Sequence, residues 1–82
     1  MRRRVPELRD LLAAVERRAG DGFARADRVG EDFPRSSHRD MRRGIARAVA
    51  GGFLISRRHR GREHLAIAAE GWTVLRGEEE AA

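Results

Sequence analysis

SSHRDMRRGIARAVAGGFLISRRHRGREHLAIAAEGWTVL, residues 36–75, changes its apolar period from that of a helix to that of strands and back. Ser36-Ser37 offers an N-cap, and Met41, Ile45, Ala48 and Val49 then recur on one helical face until Gly51-Gly52, a C-terminal stop. His38 is expected on the same inner face, half-buried at the helix start. Phe53-Leu54-Ile55 is short, apolar and rich in strand formers. His59-Arg60-Gly61-Arg62 is polar with a turn glycine, and His64-Leu65-Ala66-Ile67 can return antiparallel. The stretch therefore predicts a helix followed by a β-hairpin with a basic tip. Glu70 to Leu75 carries Trp72 and Leu75 to close the core, and residues 77–82, GEEEAA, read as an acidic, disordered tail.

Upstream, Pro6 suits a first helical turn, and Leu8, Leu11, Leu12, Val15 and Ala19 keep three- and four-residue spacing up to Gly20. Asp21-Gly22 breaks this first helix. Phe23, Ala26, Val29 and Phe33 trace a looser stripe, predicting a short second helix that ends at Pro34. Three helices followed by a two-stranded wing make a mainly α fold with a small β-hairpin, the winged helix-turn-helix. With 82 residues there is room for one compact domain. Its expected limits are residues 6–76, between a basic N-terminal arm, residues 1–5, and the acidic tail. Cysteine is absent, which removes disulfides and thiolate metal sites. No apolar run approaches the roughly 20 residues needed to span a bilayer, and Val5-Pro6-Glu7 stands where a signal peptide would need its apolar stretch. A cytoplasmic location is expected.

From Asp40 to Leu75 the chain resembles the recognition helix, wing and closing segment of MarR-like and PadR-like transcription regulators. In those families an apolar residue and leucine lead to Gly-Leu, then a charged hairpin, then Leu-Thr-x-x-Gly. Val49-Ala50-Gly51-Gly52-Phe53-Leu54 resembles the first junction and Ile67-Ala68-Ala69-Glu70-Gly71 the second, with Ala68 where the families place threonine. The resemblance implies a winged helix that binds duplex DNA. The long flanking helices through which those families dimerise are not among these residues, so their quaternary structure is not carried over.

The charge is strongly segregated. Residues 1–34 hold eight arginines against seven acids, residues 35–62 hold nine arginines against Asp40 alone, and the remainder sets Arg76 against five glutamates. All 18 basic residues are arginine, which matches a GC-rich coding sequence and also suits bidentate contacts to phosphate and guanine. A block of like charge repels itself on a folded surface, and a polyanionic partner offsets that repulsion. On the predicted third helix, Arg39, Arg43 and Arg47 lie opposite the apolar face, with Ser36 at its start and Arg42 on its flank. A solvated helix face ordinarily mixes signs through i,i+4 pairs, and Asp40 is the one acid within reach.

The expected function is double-stranded DNA binding in transcription regulation, with the third helix in the major groove and the wing on the backbone or minor groove. Ser36, Arg39 and Arg43 are the candidates for base contacts, and Arg35, Ser37, Arg42 and Arg47 for backbone contacts. Arg57, Arg58, Arg60 and Arg62 form the wing, although a charged hairpin also guards a sheet edge against aggregation. Arg2, Arg3 and Arg4 form the arm. The alternative is a protein-interaction module that docks the same arginines on an acidic partner surface. A homodimer is compatible with either reading, formed through Phe23, the segment around Trp72, or DNA itself.

No enzyme, small-molecule substrate, cofactor, metal or membrane partner is indicated. His59 and His64 can approach each other across the hairpin, but with Glu63 they do not complete a zinc site, and no nucleophile stands beside a base. With only four aromatic residues in the chain, Trp72 and Phe53 are expected in the core, which disfavours single-stranded binding by stacking.

Overall fold

The computed structural model describes the backbone of residues 4–81 and side chains through residue 77. In chain order it contains α1 (Leu8–Ala19), β1 (Ala24–Arg25), α2 (Ala26–Gly30), α3 (His38–Ala50), β2 (Leu54–His59), β3 (Arg62–Ile67) and α4 (Ala69–Ala81). Leu11, Leu12, Ala14 and Val15 of α1 meet Val29 of α2, Met41, Ile45 and Ala48 of α3, and Leu54, Leu65 and Ile67 of the sheet in a single core. Pro6 precedes α1 by two residues, and Glu7 occupies its N-cap position.

Helix α3 starts and stops on local chemistry. The Asp40 amide donates to Ser37 Oγ at 3.0 Å and the Ser37 amide donates to Asp40 Oδ2 at 3.0 Å, so two orphan donors are satisfied reciprocally. At the other end the Gly52 amide donates to the Val49 carbonyl at 3.0 Å and the Phe53 amide to the Ala48 carbonyl at 2.9 Å. This paired closure needs a left-handed residue at Gly52, whose φ is +82°. The chain then turns straight into β2.

The hairpin pairs Leu54 with Ile67, Ser56 with Leu65, Arg58 with Glu63 and His59 with Arg62. Arg60 and Gly61 form its two-residue turn, both with positive φ, 53° and 77°. That sign at both positions gives the backbone a twist matching that of the flanking strands.

The second predicted helix is corrected. Phe23 stands outside it, exposed, and Ala24–Arg25 is instead a strand whose Ala24 pairs with Leu65 and Arg25 with His64. Pairing with the outer edge of β3 satisfies this backbone, so α2 runs only from Ala26 to Gly30, and the sheet has three strands in the order β1-β3-β2. The wing is therefore braced on the edge of β3 away from β2.

The closing segment is a fourth helix. The Ala68 amide donates to the Phe53 carbonyl at 3.0 Å, and Gly71 is buried directly against that carbonyl. The backbone of α4 stays helical to Ala81, well into the segment read from the sequence as a tail. Its glutamates and alanine are good helix formers. No helix among the described residues is long and apolar enough to cross a membrane.

Candidate nucleic-acid interface

Burial of Met41, Gly44, Ile45 and Ala48 fixes the orientation of α3. At a hundred degrees per residue, Arg39, Arg43, Ala46 and Ala50 then face away from the core. Arg39 is exposed and Arg43 half-buried. Arg42 lies on the flank toward the wing, where it lines a cleft with Ile45, Ser56 and Glu63. The same cleft continues past His38, Arg58 and Arg62 to Asp27 at the start of α2. Arg47 is on the other flank, beside Val5, Pro6 and Phe53. The arginines thus wrap around the outer half of the helix, with Arg47 on a flank and not directly opposite the apolar face.

His38 is exposed, not on the inner face, because the helix begins at His38 itself and the core is reached only at Met41. Ser37 is occupied as the N-cap. Ser36 is half-buried, and its hydroxyl donates to the carbonyl of Arg4, while the Arg4 amide approaches Asp40 Oδ2 at 3.4 Å. Val5 and Pro6 pack over Gly44, where an added Cβ would lie 3.2 Å from Pro6 Cδ. The residue expected to read bases therefore anchors the chain that leads into α1. Arg35 is exposed just before it. Arg4 is exposed beside the start of α3; Arg2 and Arg3 lie outside the described residues.

In the wing, Arg57, Arg58, Arg60 and Arg62 are all exposed. Arg58 donates to the Gly61 carbonyl at 3.2 Å, which ties its guanidinium to the turn. Ser56 donates to Glu63 Oε2 at 2.5 Å across the strands. His59 and His64 meet edge to face with ring centroids 5.8 Å apart, as the hairpin spacing predicted. Among the described residues no group of three or more His, Cys, Asp or Glu side chains could hold a metal ion.

The ion pairs separate the two halves of the molecule. Arg18 pairs with Asp32 at 2.9 Å, Arg25 with Asp27 at 2.6 Å and Arg28 with Glu31 at 3.3 Å, all around α1 and α2. The hydrogen bond from Arg18 holds the Asp32 carboxyl below its ordinary range, and that from Arg25 does the same for Asp27. Of the nine arginines between residues 35 and 62, Arg62 alone forms an ion pair among the described residues, to Asp27 at 3.6 Å. Acids thus neutralise much of the arginine charge around α1 and α2, while α3 and the wing keep most of theirs.

No protein-family model and no curated protein matches the chain. Its structure is similar to that of Sso10a-2, a DNA-binding protein from Sulfolobus solfataricus, with a TM-score of 0.67, 15% sequence identity, and coverage of 92% of this chain and 77% of that one. At that identity the likeness is one of fold. In element order, sheet topology and solved likeness, the chain is a winged-helix domain.

Proposed function

We propose that the chain binds double-stranded DNA and regulates transcription, presenting α3 to the major groove and the wing to the adjoining backbone or minor groove. The carrying observation is the set of exposed arginines on α3 and the wing without ion pairs among the described residues, on a molecule in which Arg17, Arg18, Arg25 and Arg28 are all paired with acids. A helix of α3's diameter fits the major groove, where arginine bonds bidentately to guanine O6 and N7. Arg39 and Arg43, on the outward face, are the proposed base readers. Arg35, Ser37, Arg42 and Arg47 flank them at the height of the groove walls, and Arg58 and Arg60 extend the contact through the wing. Ser36 supports the surface indirectly by fixing the Arg4 carbonyl. The DNA binding of the fold neighbour supports the same reading.

The test is fluorescence anisotropy with random and selected duplexes over a range of salt. About six phosphate contacts predict that log affinity falls against log salt with a slope near −5, a loss of about a thousandfold between 50 and 200 mM. Arg60→Ala should make the slope shallower by about one contact's worth, roughly 0.9. Absence of duplex binding at low salt refutes the proposal, and salt-sensitive capture of an acidic protein surface in its place supports docking on a partner.

A further inference from the structure

The sheet has a second surface, turned away from the cleft beside α3. The register Arg25↔His64↔Arg57 puts these three side chains on one face, and strand alternation adds Ile55 and His59. Phe23, just before β1, joins them, with the Arg57 guanidinium 5.3 Å from its ring centroid. Among the described residues, Phe23 and Ile55 are the two large hydrophobic side chains that the fold leaves exposed, at 42% and 43%. Leu54, Leu65 and Ile67, on the opposite face, are buried in the core.

We infer that this outer sheet face binds single-stranded nucleic acid. An exposed phenylalanine ring, a neighbouring pair of imidazoles and an arginine lying over the phenylalanine are the groups on which unpaired bases stack. Arg57, without an ion pair among the described residues, suits the phosphates between those bases, whereas Arg25 at the border of the face is held by Asp27 at 2.6 Å. The six-residue strands of the hairpin extend about 20 Å, enough for two or three stacked bases. A polyanion with planar, apolar units matches this combination of rings and cations better than a duplex does, because paired bases hide their faces. The sequence argument against stacking concerned Trp72 and Phe53, whereas the exposed ring on this face is that of Phe23. This surface is separate from α3, so the inference stands or falls independently of the duplex proposal.

The experiment uses the full chain and a fluorescein-labelled dT oligonucleotide of about 12 nucleotides at about 0.15 M salt. Phe23→Ala and Arg57→Ala should each weaken oligonucleotide binding roughly tenfold while leaving the melting temperature unchanged. Phe23→Ala should also leave duplex affinity unchanged, and the Arg39→Ala/Arg43→Ala double variant should retain the oligonucleotide. Failure of the parent chain to bind the oligonucleotide, or full affinity in Phe23→Ala, overturns the inference. So does a dimer in solution that Phe23→Ala converts to monomer, since a second copy would then cover the face. If the oligonucleotide binds with these mutant effects and the duplex does not, the duplex proposal alone fails.

Discussion

Replacing Gly71 with alanine sets two effects of known sign against each other. Alanine is favoured over glycine inside a helix by about 1 kcal/mol. At Gly71, however, the new Cβ would collide with the Phe53 carbonyl oxygen and lie 2.8 Å from Ile67 Cγ2. Neither neighbour yields easily: the carbonyl accepts the Ala68 amide at 3.0 Å, and Ile67 is locked in the core opposite Leu54. Overpacking costs about 1–3 kcal/mol, and a backbone carbonyl in the way puts this site in the upper part of that range, about 2–3 kcal/mol, so the net expectation is a loss of about 1–2 kcal/mol. For a domain of this size that lowers the melting temperature by about 4–16 °C. Gly77, in the same helix, has nothing within 4 Å of a built Cβ. Gly77→Ala therefore keeps only the propensity gain, up to about 1 kcal/mol and less if the helix end frays. The pair is measured by thermal and urea unfolding followed by circular dichroism. A Gly71→Ala variant as stable as the parent or the Gly77→Ala variant would refute the close seating of α4 on the start of β2.

Three further outcomes follow from the interface and its supports. Arg43→Ala is expected to relax base preference at one operator position at a cost of about 1–3 kcal/mol, whereas Arg42→Ala weakens all duplexes alike; equal behaviour in a selection-and-sequencing assay would contradict their placement on different faces of α3. Ser37→Ala removes one half of the cap box and should cost about 1 kcal/mol, read as a lower urea midpoint with an unchanged slope. Because the Asp32 carboxyl is held below its ordinary range, its ion pair stabilises the fold fully above the unfolded value near 3.9 and is lost as pH falls through the folded value. Asp32→Asn should thus flatten the acid limb of a stability–pH curve, and an unchanged limb would remove Arg18–Asp32 as a contributor.

The elements legible from sequence were those with local causes. Ser37 and Asp40 lie three residues apart and Gly51-Gly52 follows directly on the last turn, so both ends of α3 carry their own signals. Arg60-Gly61 marks the hairpin turn in the same local way. Strand β1 has no such signature: Ala24 and Arg25 are too few to show a period, and their pairing depends on Leu65 and His64 some forty positions away. Phe23, falling by chance on a helical spacing with Ala26 and Val29, completed a false stripe. The arginines of the interface were visible as a charge block, but their sorting onto different flanks required the direction of the core. The bond of Ser36 was hidden for a related reason, since its partner, the Arg4 carbonyl, is 32 residues distant and unmarked in the side-chain pattern.

Arg60 occupies a left-handed backbone position at the wing tip, with φ at 53°. For a residue with a Cβ that conformation costs about 1–2 kcal/mol, and asparagine or glycine would sit there more comfortably. Stability and charge therefore pull in opposite directions at this one site. Variants selected for heat resistance alone would drift toward asparagine at position 60 and lose grip on a polyanion, whereas variants selected for binding would keep arginine and tolerate a softer fold.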